Sequence, residues 1–471
     1  KQSLFEEEEK YQTREKDIYI EEKKEEEKKK IIKDVLGLGF IIFLIQGVGT
    51  MFPWNAFVSA PDYFITLNEN TMLYMSVSFT VPNLIGLITM TLYGQKISLL
   101  LQVLSPYLLQ VIVLLILPTL LLLNVMEHRI GLYVLVLMCV ITGFTASIVM
   151  GGTSGFAAMM PPVYFTALMS GQGVAGIIAS VLRLITKGAI ERSPADHIDE
   201  LIAEQKISVT IFFFLAAGII VICIITYLIL LRLPFVQYHI KKCTLPQKQE
   251  NAYIDDDDET EEQQRMIGIQ DELEEEEENN KKKASPIKVF RKIWIYCIAV
   301  WFSYVITIAI FPGLVSKVRS QYGKDSFLGS WYLNFLVLDF NIFDLLGRSL
   351  PLLTNLIKFK MPWTKGQKRS IDQYLFPLTP LLMILRLIFL PIFIIASLNQ
   401  AWFQFDWLIY ITMAGMGITN GYLTSVIMAN TPALVEPEEM MTAGTMMSTF
   451  LTGGVASGSV VAIIADALSS L

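Results

Sequence analysis

Long apolar runs separated by short polar connections constrain this chain more than any other feature. The 471 residues are 53% hydrophobic with a mean hydropathy of +0.50, and only 17% are charged. Most of the charges fall in two segments, residues 1–34 and 232–292. The remainder is close to continuous apolar sequence, more than the core of a soluble protein of this size can absorb. The sequence therefore predicts an all-α polytopic membrane protein.

The spacing of the apolar runs sets the predicted architecture. A bilayer core of roughly 30 Å needs about 20 mainly apolar residues in a helix. By this criterion the sequence predicts eleven transmembrane helices, at 35–59, 72–93, 98–124, 131–156, 161–187, 207–231, 293–315, 327–357, 372–397, 404–430 and 438–466.

The position of the long linker predicts four segments. Residues 1–34 form a charged tail, and residues 232–292 form an acidic linker that its charge runs predict to be disordered. A six-helix bundle at 35–231 and a five-helix bundle at 293–471 flank the linker, as in transporters that rock one half against the other. Because the tail and linker carry most of the Lys and Arg, the positive-inside rule predicts a cytoplasmic N-terminus and an extracellular C-terminus.

Three polar residues in the eighth predicted span point to a function. Asp344 and Arg348 are about 40° apart around a helix, and Asn341 is about 60° from Asp344, so the three share a face. Charges within a membrane cost several kcal/mol and normally pair or face a wet cavity, which makes them candidates for a binding site. The alternative is an ion pair that only holds two helices together.

Two further intramembrane charges favour a structural interpretation. Asp339 lies about 180° from Arg348 around the helix, so it belongs to another face. We expect it to meet Arg386 of span nine or a charge in another bundle. Arg183 lies near one end of span five, and we expect its guanidinium to extend to the membrane surface.

Small residues recur at four-residue spacing in several spans and predict closely packed helices. They are Gly151–Gly155, Gly171–Ala175–Ala179, Gly417–Gly421 and Gly454–Gly458. Gln172 and Asn420 lie among these glycines, and we expect both side chains to form hydrogen bonds between helices.

The sequence argues against several classes of function. The four Cys and three His are scattered without the spacing of metal ligands. Neither a His–Glu metal helix nor a Gly-x-Ser-x-Gly motif occurs, so we do not expect an enzyme or a cofactor. The net charge of −7 reflects acidic runs in the linker and gives no basis for a nucleic-acid partner. The predicted surrounding is the lipid bilayer.

Five motifs are similar to those of a known family. They are "FPWNAF" (52–57), "SGQGVAGIIAS" (170–180), "FNIFDLLGRS" (340–349), "TNGYLTS" (419–425) and "TAGTMMSTFLTGG" (442–454). The motifs run in order from the first predicted span to the eleventh. Together they make the chain resemble the equilibrative nucleoside transporter family.

This resemblance implies a fold of the major facilitator type, alternating access, and passive movement of nucleosides or nucleobases. In that family the eighth-span Asp and Arg line the central cavity, which assigns Asp344 and Arg348 to the substrate. The resemblance implies that the Arg contacts the sugar hydroxyls and that the Asp orients it. An Arg beside a carboxylate also suits vicinal hydroxyls on chemical grounds.

The same resemblance assigns candidates outside span eight. Trp54 falls on an aromatic wall of the cavity, and Asn55 beside it is expected to bond a neighbouring helix. Well-studied members carry a Gln where this chain has Met150, which offers only a soft apolar contact. Asn83 follows a Pro in span two and is a candidate for the replacement amide.

Alternatives in coupling and activity stay open at this stage. One is a proton-coupled carrier of the same fold, with Asp339 or Asp344 titrating. Another is a non-transporting receptor that binds partners through the acidic linker. A monomer in the plasma membrane is the expected state, with a nucleoside or nucleobase as substrate.

Overall fold

The computed structural model describes residues 37–64, 71–123, 128–190, 198–244, 285–315, 318, 320–322, 327–359, 369–397 and 405–469. The predicted tail at 1–34 and the acidic stretch of the linker at 245–284 lie outside these residues.

Helices account for almost all of the described chain. The long helices are α1 (Leu38–Val58), α2 (Thr71–Tyr93), α3 (Leu99–Leu122), α4 (His128–Ala158), α5 (Pro162–Ile190), α6 (Ile198–Leu230), α7 (Pro286–Ile308), α8 (Phe327–Thr354), α9 (Ile371–Ser397), α10 (Asp406–Asn430) and α11 (Met440–Ser469). Short helices occur at Pro61–Phe64 and Pro234–Thr244. Two short antiparallel strands, β1 (Lys358–Phe359) and β2 (Arg369–Ser370), lie between α8 and α9.

Eight helices in the described part of the chain are long and apolar enough to cross a membrane, namely α1 to α7 and α9. Helices α8, α10 and α11 have 28, 25 and 30 residues, and each is therefore also longer than the roughly 20 residues that a helix needs to cross a bilayer core. These three carry more polar side chains and glycines along their length. The prediction of an all-α polytopic membrane fold is confirmed, and the count of eleven spans stays a prediction.

The structure corrects the predicted limits of the linker, because helices occupy both ends of residues 232–292. The Pro234–Thr244 helix buries Phe235, Val236 and Cys243 and leaves its lysines exposed, so it is amphipathic. Helix α7 already begins at Pro286, where proline suits the first helical turn because its missing N–H would have no partner there. The many charged residues in these segments led to the prediction of disorder, although each segment also carries apolar residues on one face of a helix.

Helix α9 is not continuous, although the sequence predicts one span at 372–397. Tight 3₁₀ turns at Phe376–Leu378 and Arg386–Ile388 divide it into three short α-helical segments. Pro377 and Pro380 lack the backbone N–H that a continuous helix requires, which explains the first break. Helix α7 also ends in a kink, where Phe311 has φ −119° and ψ 123° and precedes Pro312.

We divide the long helices by their order in the chain into the N-terminal half (α1–α6) and the C-terminal half (α7–α11). Within the N-terminal half α1 packs on α5, α2 on α4 and α3 on α6; within the C-terminal half α8 packs on α10 and α7 on α11. The halves meet where α8 and α10 contact α5 and where α11 contacts α2 and α4.

Glycines make several of these contacts close, as the four-residue spacing predicts. A Cβ added to Gly421 would lie 2.1 Å from the carbonyl oxygen of Asp344, and one added to Gly347 would lie 2.3 Å from that of Ile418. Helices α8 and α10 therefore touch backbone to backbone. A Cβ on Gly454 would lie 2.4 Å from the Trp301 carbonyl oxygen, so α11 approaches α7 in the same way.

Hydrogen bonds between the two halves lie toward one end of the molecule, the end that carries residues 94–98, 231–244 and 286–292. We call this the linker end. The Thr91 and Thr449 hydroxyl oxygens are 2.7 Å apart, and Thr445 donates to the Gly151 carbonyl at 3.0 Å. The other hydrogen bonds found between the halves, which include those from Ser170 to Arg348 and from Gln95 to Thr442, also lie on this side.

A buried acid joins α7 to the start of α11 at the linker end. Glu439 is 3% exposed, and its carboxylate lies 2.6 Å from Lys292 Nζ and 3.6 Å from Lys288 Nζ. Burial raises the pKa of Glu439, but hydrogen bonds from Lys292 and the Glu436 backbone N–H, with the two lysine charges, outweigh it. The pKa therefore lies below its ordinary value of 4.5.

Arg183 differs from its prediction, because its guanidinium does not extend to the membrane surface. The residue is 5% exposed, and Nη1 donates to the hydroxyl of Ser208 on α6. A hydroxyl of the neighbouring helix therefore accepts a hydrogen bond from the charged group inside the bundle.

Gly421→Ala is expected to destabilise the fold by about 2 kcal/mol, because a methyl group would push apart two backbones that are in contact. Thermal unfolding of the purified protein in detergent measures the change. Gly218→Ala in α6 is the matched control, since a Cβ there meets nothing within 4 Å. Equal effects of the two substitutions would contradict the close α8–α10 contact.

Glu439→Gln is expected to lower the free energy of unfolding at neutral pH by on the order of 1 kcal/mol. Because the folded-state pKa is depressed, the carboxylate contributes above its unfolded-state pKa, and the contribution is lost as pH falls through the folded-state pKa. Thermal unfolding at neutral and acid pH tests this, with exposed Glu438→Gln as control. A difference between wild type and Glu439→Gln that persists in acid would refute the role of the charge.

Candidate substrate site

An ion pair on α8 forms the centre of the candidate site. Arg348 Nε donates to Asp344 Oδ2 at 2.6 Å, one helical turn apart, as their spacing predicts. Asp344 is 8% exposed and Arg348 is 9% exposed. Such burial is tolerated because opposite charges and hydrogen bonds replace the lost hydration.

Neighbouring helices of the C-terminal half complete the ion pair. Asn420 Nδ2 on α10 donates to Asp344 Oδ1 at 2.7 Å, so both carboxylate oxygens have donors. Arg348 Nη2 donates to the Tyr304 hydroxyl of α7 at 3.1 Å. The predicted interhelical hydrogen bond of Asn420 is confirmed. Gln172 Nε2, by contrast, is buried with no hydrogen-bond partner among the described residues.

Arg348 retains donors for a ligand. A guanidinium has five N–H groups, and the bonds to Asp344 and Tyr304 engage Nε and Nη2. The Nη1 group has no partner among the described residues. The Tyr304 hydroxyl accepts from Arg348, so its own hydrogen can be donated elsewhere. The site can thus offer several donors to hydroxyl or carbonyl oxygens of a neutral molecule.

The contact between the two halves lies beside this site. A Cβ added to Gly173 of α5 would lie 3.4 Å from Arg348 Cδ. Ser170 donates to the Arg348 carbonyl at 3.3 Å, and Ser349 donates to the Ser170 hydroxyl at 3.2 Å. The site therefore belongs to a helix that the other half contacts directly.

Trp54 lies half-buried on α1 and stacks on Phe79 of α2, with ring centroids 4.2 Å apart and planes 22° apart. This pair presents an aromatic surface of the kind that a flat ring can bind. The expected interhelical bond of Asn55 is wrong, because its Nδ2 donates to the Met51 carbonyl of its own helix at 3.0 Å.

The remaining predicted residues differ in their surroundings. Asn341 is exposed and lies about 20° from Arg348 around the helix. Met150 is 1% exposed, and Thr452 of α11 lies 4.0 Å from its sulfur. Asn83 is 6% exposed, and its amide donates to the Gly143 carbonyl of α4 at 3.1 Å. That bond engages one donor of the Asn83 amide in helix packing, and its predicted role at the substrate base stays a prediction.

The expected meeting of Asp339 and Arg386 is wrong. Arg386 donates to Ser303 and Thr307 of α7, and the Asp339 Oδ2 atom is buried with no hydrogen-bond partner among the residues that the structure describes. Within the described ranges, no three His, Cys, Asp or Glu side chains come together as metal ligands.

Sequence reasoning missed Tyr304 as part of the site. It lies in "WFSYVITI", an apolar run with no charged neighbour that could mark it. The only usable signal is that a buried tyrosine hydroxyl normally has a hydrogen-bond partner. The sequence does not show which helix supplies that partner.

Asp344→Ala is expected to cost about 3–5 kcal/mol of stability, because it leaves the Arg348 charge buried without its carboxylate. Tyr304→Phe removes one neutral acceptor and should cost about 1 kcal/mol. Thermal unfolding of the two variants in detergent compares them. A Tyr304→Phe variant that loses as much stability as Asp344→Ala would contradict the central place of the carboxylate.

Comparison with known protein structures supports the fold alone. The chain is similar to the fucose:proton symporter of E. coli, with a TM-score of 0.57, 12% identity and 92% of each chain covered. A major facilitator transporter in an outward conformation matches with a TM-score of 0.56, 12% identity and 93% of each chain covered. The fold is therefore of the major facilitator type.

Comparison with known sequences identifies the family. The equilibrative nucleotide transporter 1 of Arabidopsis thaliana is 28% identical, over 92% of this chain and 87% of its own length. The human equilibrative nucleoside transporter 1 is also 28% identical, over 91% of this chain and 97% of its own. The family profile described as "Nucleoside transporter" matches residues 135–467, from α4 to α11. The chain belongs to the nucleoside transporter family.

Proposed function

We propose that this protein is a facilitative transporter that moves nucleosides, and nucleobases as a second substrate class, by alternating access. The observation that carries the proposal is the buried Asp344–Arg348 pair, which keeps unused guanidinium donors on a helix contacted by the other half. Family membership and the major facilitator fold support the substrate class and the mode of movement.

The chemistry of a nucleoside suits this site. A nucleoside has a flat base and a polyhydroxyl sugar and carries no charge. In our proposal Arg348 donates to the sugar hydroxyls and Asp344 orients it, with Asn341 as a further polar contact. The stacked Trp54 and Phe79 rings suit a flat ring of the substrate, and Met150 adds an apolar contact.

The distribution of contacts between the halves supports alternating access. Their hydrogen bonds lie toward the linker end, where Thr91 meets Thr449 and Thr445 meets the Gly151 carbonyl. We propose that this arrangement is one state of the cycle, closed at the linker end. In the other state these bonds break as one half rocks against the other.

The same reasoning extends to location and state of assembly. We propose that the protein is a monomer in the plasma membrane, with its N-terminus in the cytoplasm and its C-terminus outside. The linker end then faces the cytoplasm. The concentration of Lys and Arg in the tail and linker supports this orientation.

Uptake of radiolabelled adenosine and uridine into proteoliposomes tests the function. The wild type should speed equilibration without raising the internal concentration above the external one. Arg348→Ala should reduce the rate at least about tenfold, because it removes charge-assisted hydrogen bonds to the sugar. Arg369→Ala, which removes an exposed arginine from β2, is the matched control and should keep the rate. No uptake of any nucleoside or nucleobase by the wild type would refute the proposal.

One observation favours a second candidate, a proton-coupled carrier of the same fold. The Asp339 Oδ2 atom is buried without a partner in the described part of the chain. An ionised carboxylate in that state is costly, so binding a proton would stabilise it.

Coupling has a distinct signature in the same proteoliposomes. An inward proton gradient should drive accumulation above equilibrium, and an uncoupler or Asp339→Asn should abolish it. Uptake that is indifferent to pH and to the uncoupler would remove this candidate.

A further inference from the structure

A second arginine is buried in the C-terminal half, away from the one that the sequence pattern marks. Arg386 lies in the 3₁₀ turn that breaks α9 and is 2% exposed. Within the part of the chain that the structure describes, no carboxylate lies at ion-pair distance from it. Its donors go to helix α7 instead: Nη1 bonds the Ser303 hydroxyl, and Nη2 lies 2.8 Å from Thr307 Oγ1.

From Thr307 the hydrogen bonds lead to the ion pair of α8. Thr307 Oγ1 lies 3.0 Å from Asn420 Oδ1 and 2.9 Å from the Ser303 carbonyl oxygen. Asn420 Nδ2 lies 2.7 Å from Asp344 Oδ1. The chain Arg386–Thr307–Asn420–Asp344 thus connects α9, α7, α10 and α8 in turn. We call it the Arg386 chain.

The chemistry of these groups gives the Arg386 chain a direction. A guanidinium can only donate and a carboxylate can only accept, so the two ends are set. With its amide reversed, Asn420 would turn its oxygen toward the Asp344 carboxylate, and two acceptors would repel. Its Nδ2 therefore donates to Asp344, which leaves Oδ1 to accept from Thr307. The bonds from Arg386 to Thr307 and from Asn420 to Asp344 therefore point toward Asp344, and the single hydroxyl hydrogen of Thr307 is shared between Asn420 Oδ1 and the Ser303 carbonyl oxygen.

The charges of the cluster act in the same direction. Arg348 and Arg386 bring two positive charges and Asp344 one negative charge, so the cluster keeps a formal excess of one positive charge. An arginine does not lose its proton inside a protein. Both guanidiniums therefore stay positively charged and attract the Asp344 carboxylate.

We propose that Arg386 is a positioning residue for sugar recognition. Through Thr307 and Asn420 it holds the Asp344 carboxylate in one orientation, which in turn aims the unused donors of Arg348 at the substrate. This inference rests on the proposed function, in which Arg348 binds the sugar hydroxyls. Arg386 itself does not touch the substrate, since its guanidinium is enclosed by α7 and α10.

Arg183 provides the comparison that separates positioning from packing. It is also a buried arginine that donates to a serine hydroxyl of a neighbouring helix. It lies in the N-terminal half, on α5, and its bond to Ser208 of α6 does not lead to Asp344. Loss of either arginine removes a buried cation, but only loss of Arg386 breaks the Arg386 chain.

The test measures KM for adenosine and for 2′,3′-dideoxyadenosine in proteoliposomes, normalised to inserted protein. Arg386→Gln and Thr307→Val should raise the KM for adenosine roughly three- to tenfold, the range of one lost hydrogen bond. The KM for the dideoxynucleoside should stay unchanged, because that substrate lacks the hydroxyls that Arg348 binds. The preference for adenosine should therefore shrink.

Conservative and combined variants sharpen the result. Thr307→Ser keeps a hydroxyl and should keep the preference for adenosine. Combining Arg386→Gln with Thr307→Val should cost no more than the larger single effect, since both break the same chain. Arg183→Gln should keep the preference whatever it does to the yield of folded protein.

Three outcomes would overturn the inference. One is an equal loss of both substrates in Arg386→Gln with the preference intact, which is the pattern of a packing residue. Another is a Thr307→Val variant with the wild-type KM for adenosine and the wild-type preference for adenosine. This variant still tests the inference if Arg386→Gln does not fold. The third is a wild type that transports both substrates without preference. A wild type that transports neither fails the proposed function itself, which is a different result.

Discussion

The carboxylate of Asp344 is a full charge among membrane-spanning helices, and its two oxygens need protein donors in place of water. Arg348 supplies one from the same helix, and Asn420 supplies the other from α10. The second bond requires α10 to lie very close to α8. Gly421, next to Asn420, allows that approach because its missing side chain leaves room for the Asp344 carbonyl. The close packing of α8 against α10 and the hydrogen bonding of the Asp344 carboxylate therefore depend on the same contact.

Further layers build outward from this pair. Tyr304 of α7 accepts from Arg348, and Thr307, one turn later, bonds Asn420 and Arg386. Four helices of the C-terminal half thus share one polar network inside an apolar bundle. Such a network fixes the relative position of its helices more sharply than apolar packing alone, because each bond has a direction.

The N-terminal half meets this network from outside. Ser170 of α5 donates to the carbonyl of Arg348, so the helix that carries the ion pair also carries the contact between the halves. A movement of one half against the other would change the surroundings of Arg348 without breaking its bond to Asp344. This arrangement suits a carrier, because its binding group must keep its geometry while the site opens first to one side of the membrane and then to the other.

Much of the fold and part of the site could be predicted from the sequence. Apolar runs of about 20 residues can only form helices in lipid, since the backbone has no water to bond. The pair of Asp344 and Arg348 was visible because one turn of helix separates them. The breaks in α9, the amphipathic Pro234–Thr244 helix and the helical start at Pro286 were less visible, since they depend on neighbouring helices or were obscured by charge.

The sequence alone determined local and periodic properties: the helical class, the small-residue faces and the charged face of α8. These follow from residues a few positions apart, whose relation a helix sets by geometry. Only the tertiary structure decided the partners across helices. It brought Tyr304 and Asn420 to the ion pair, turned Arg386 toward α7 rather than Asp339, and joined Asn83 to the Gly143 carbonyl. The physical reason is that a polar group in a membrane must find a donor or acceptor nearby in space, and the chain pattern does not show which helix supplies it.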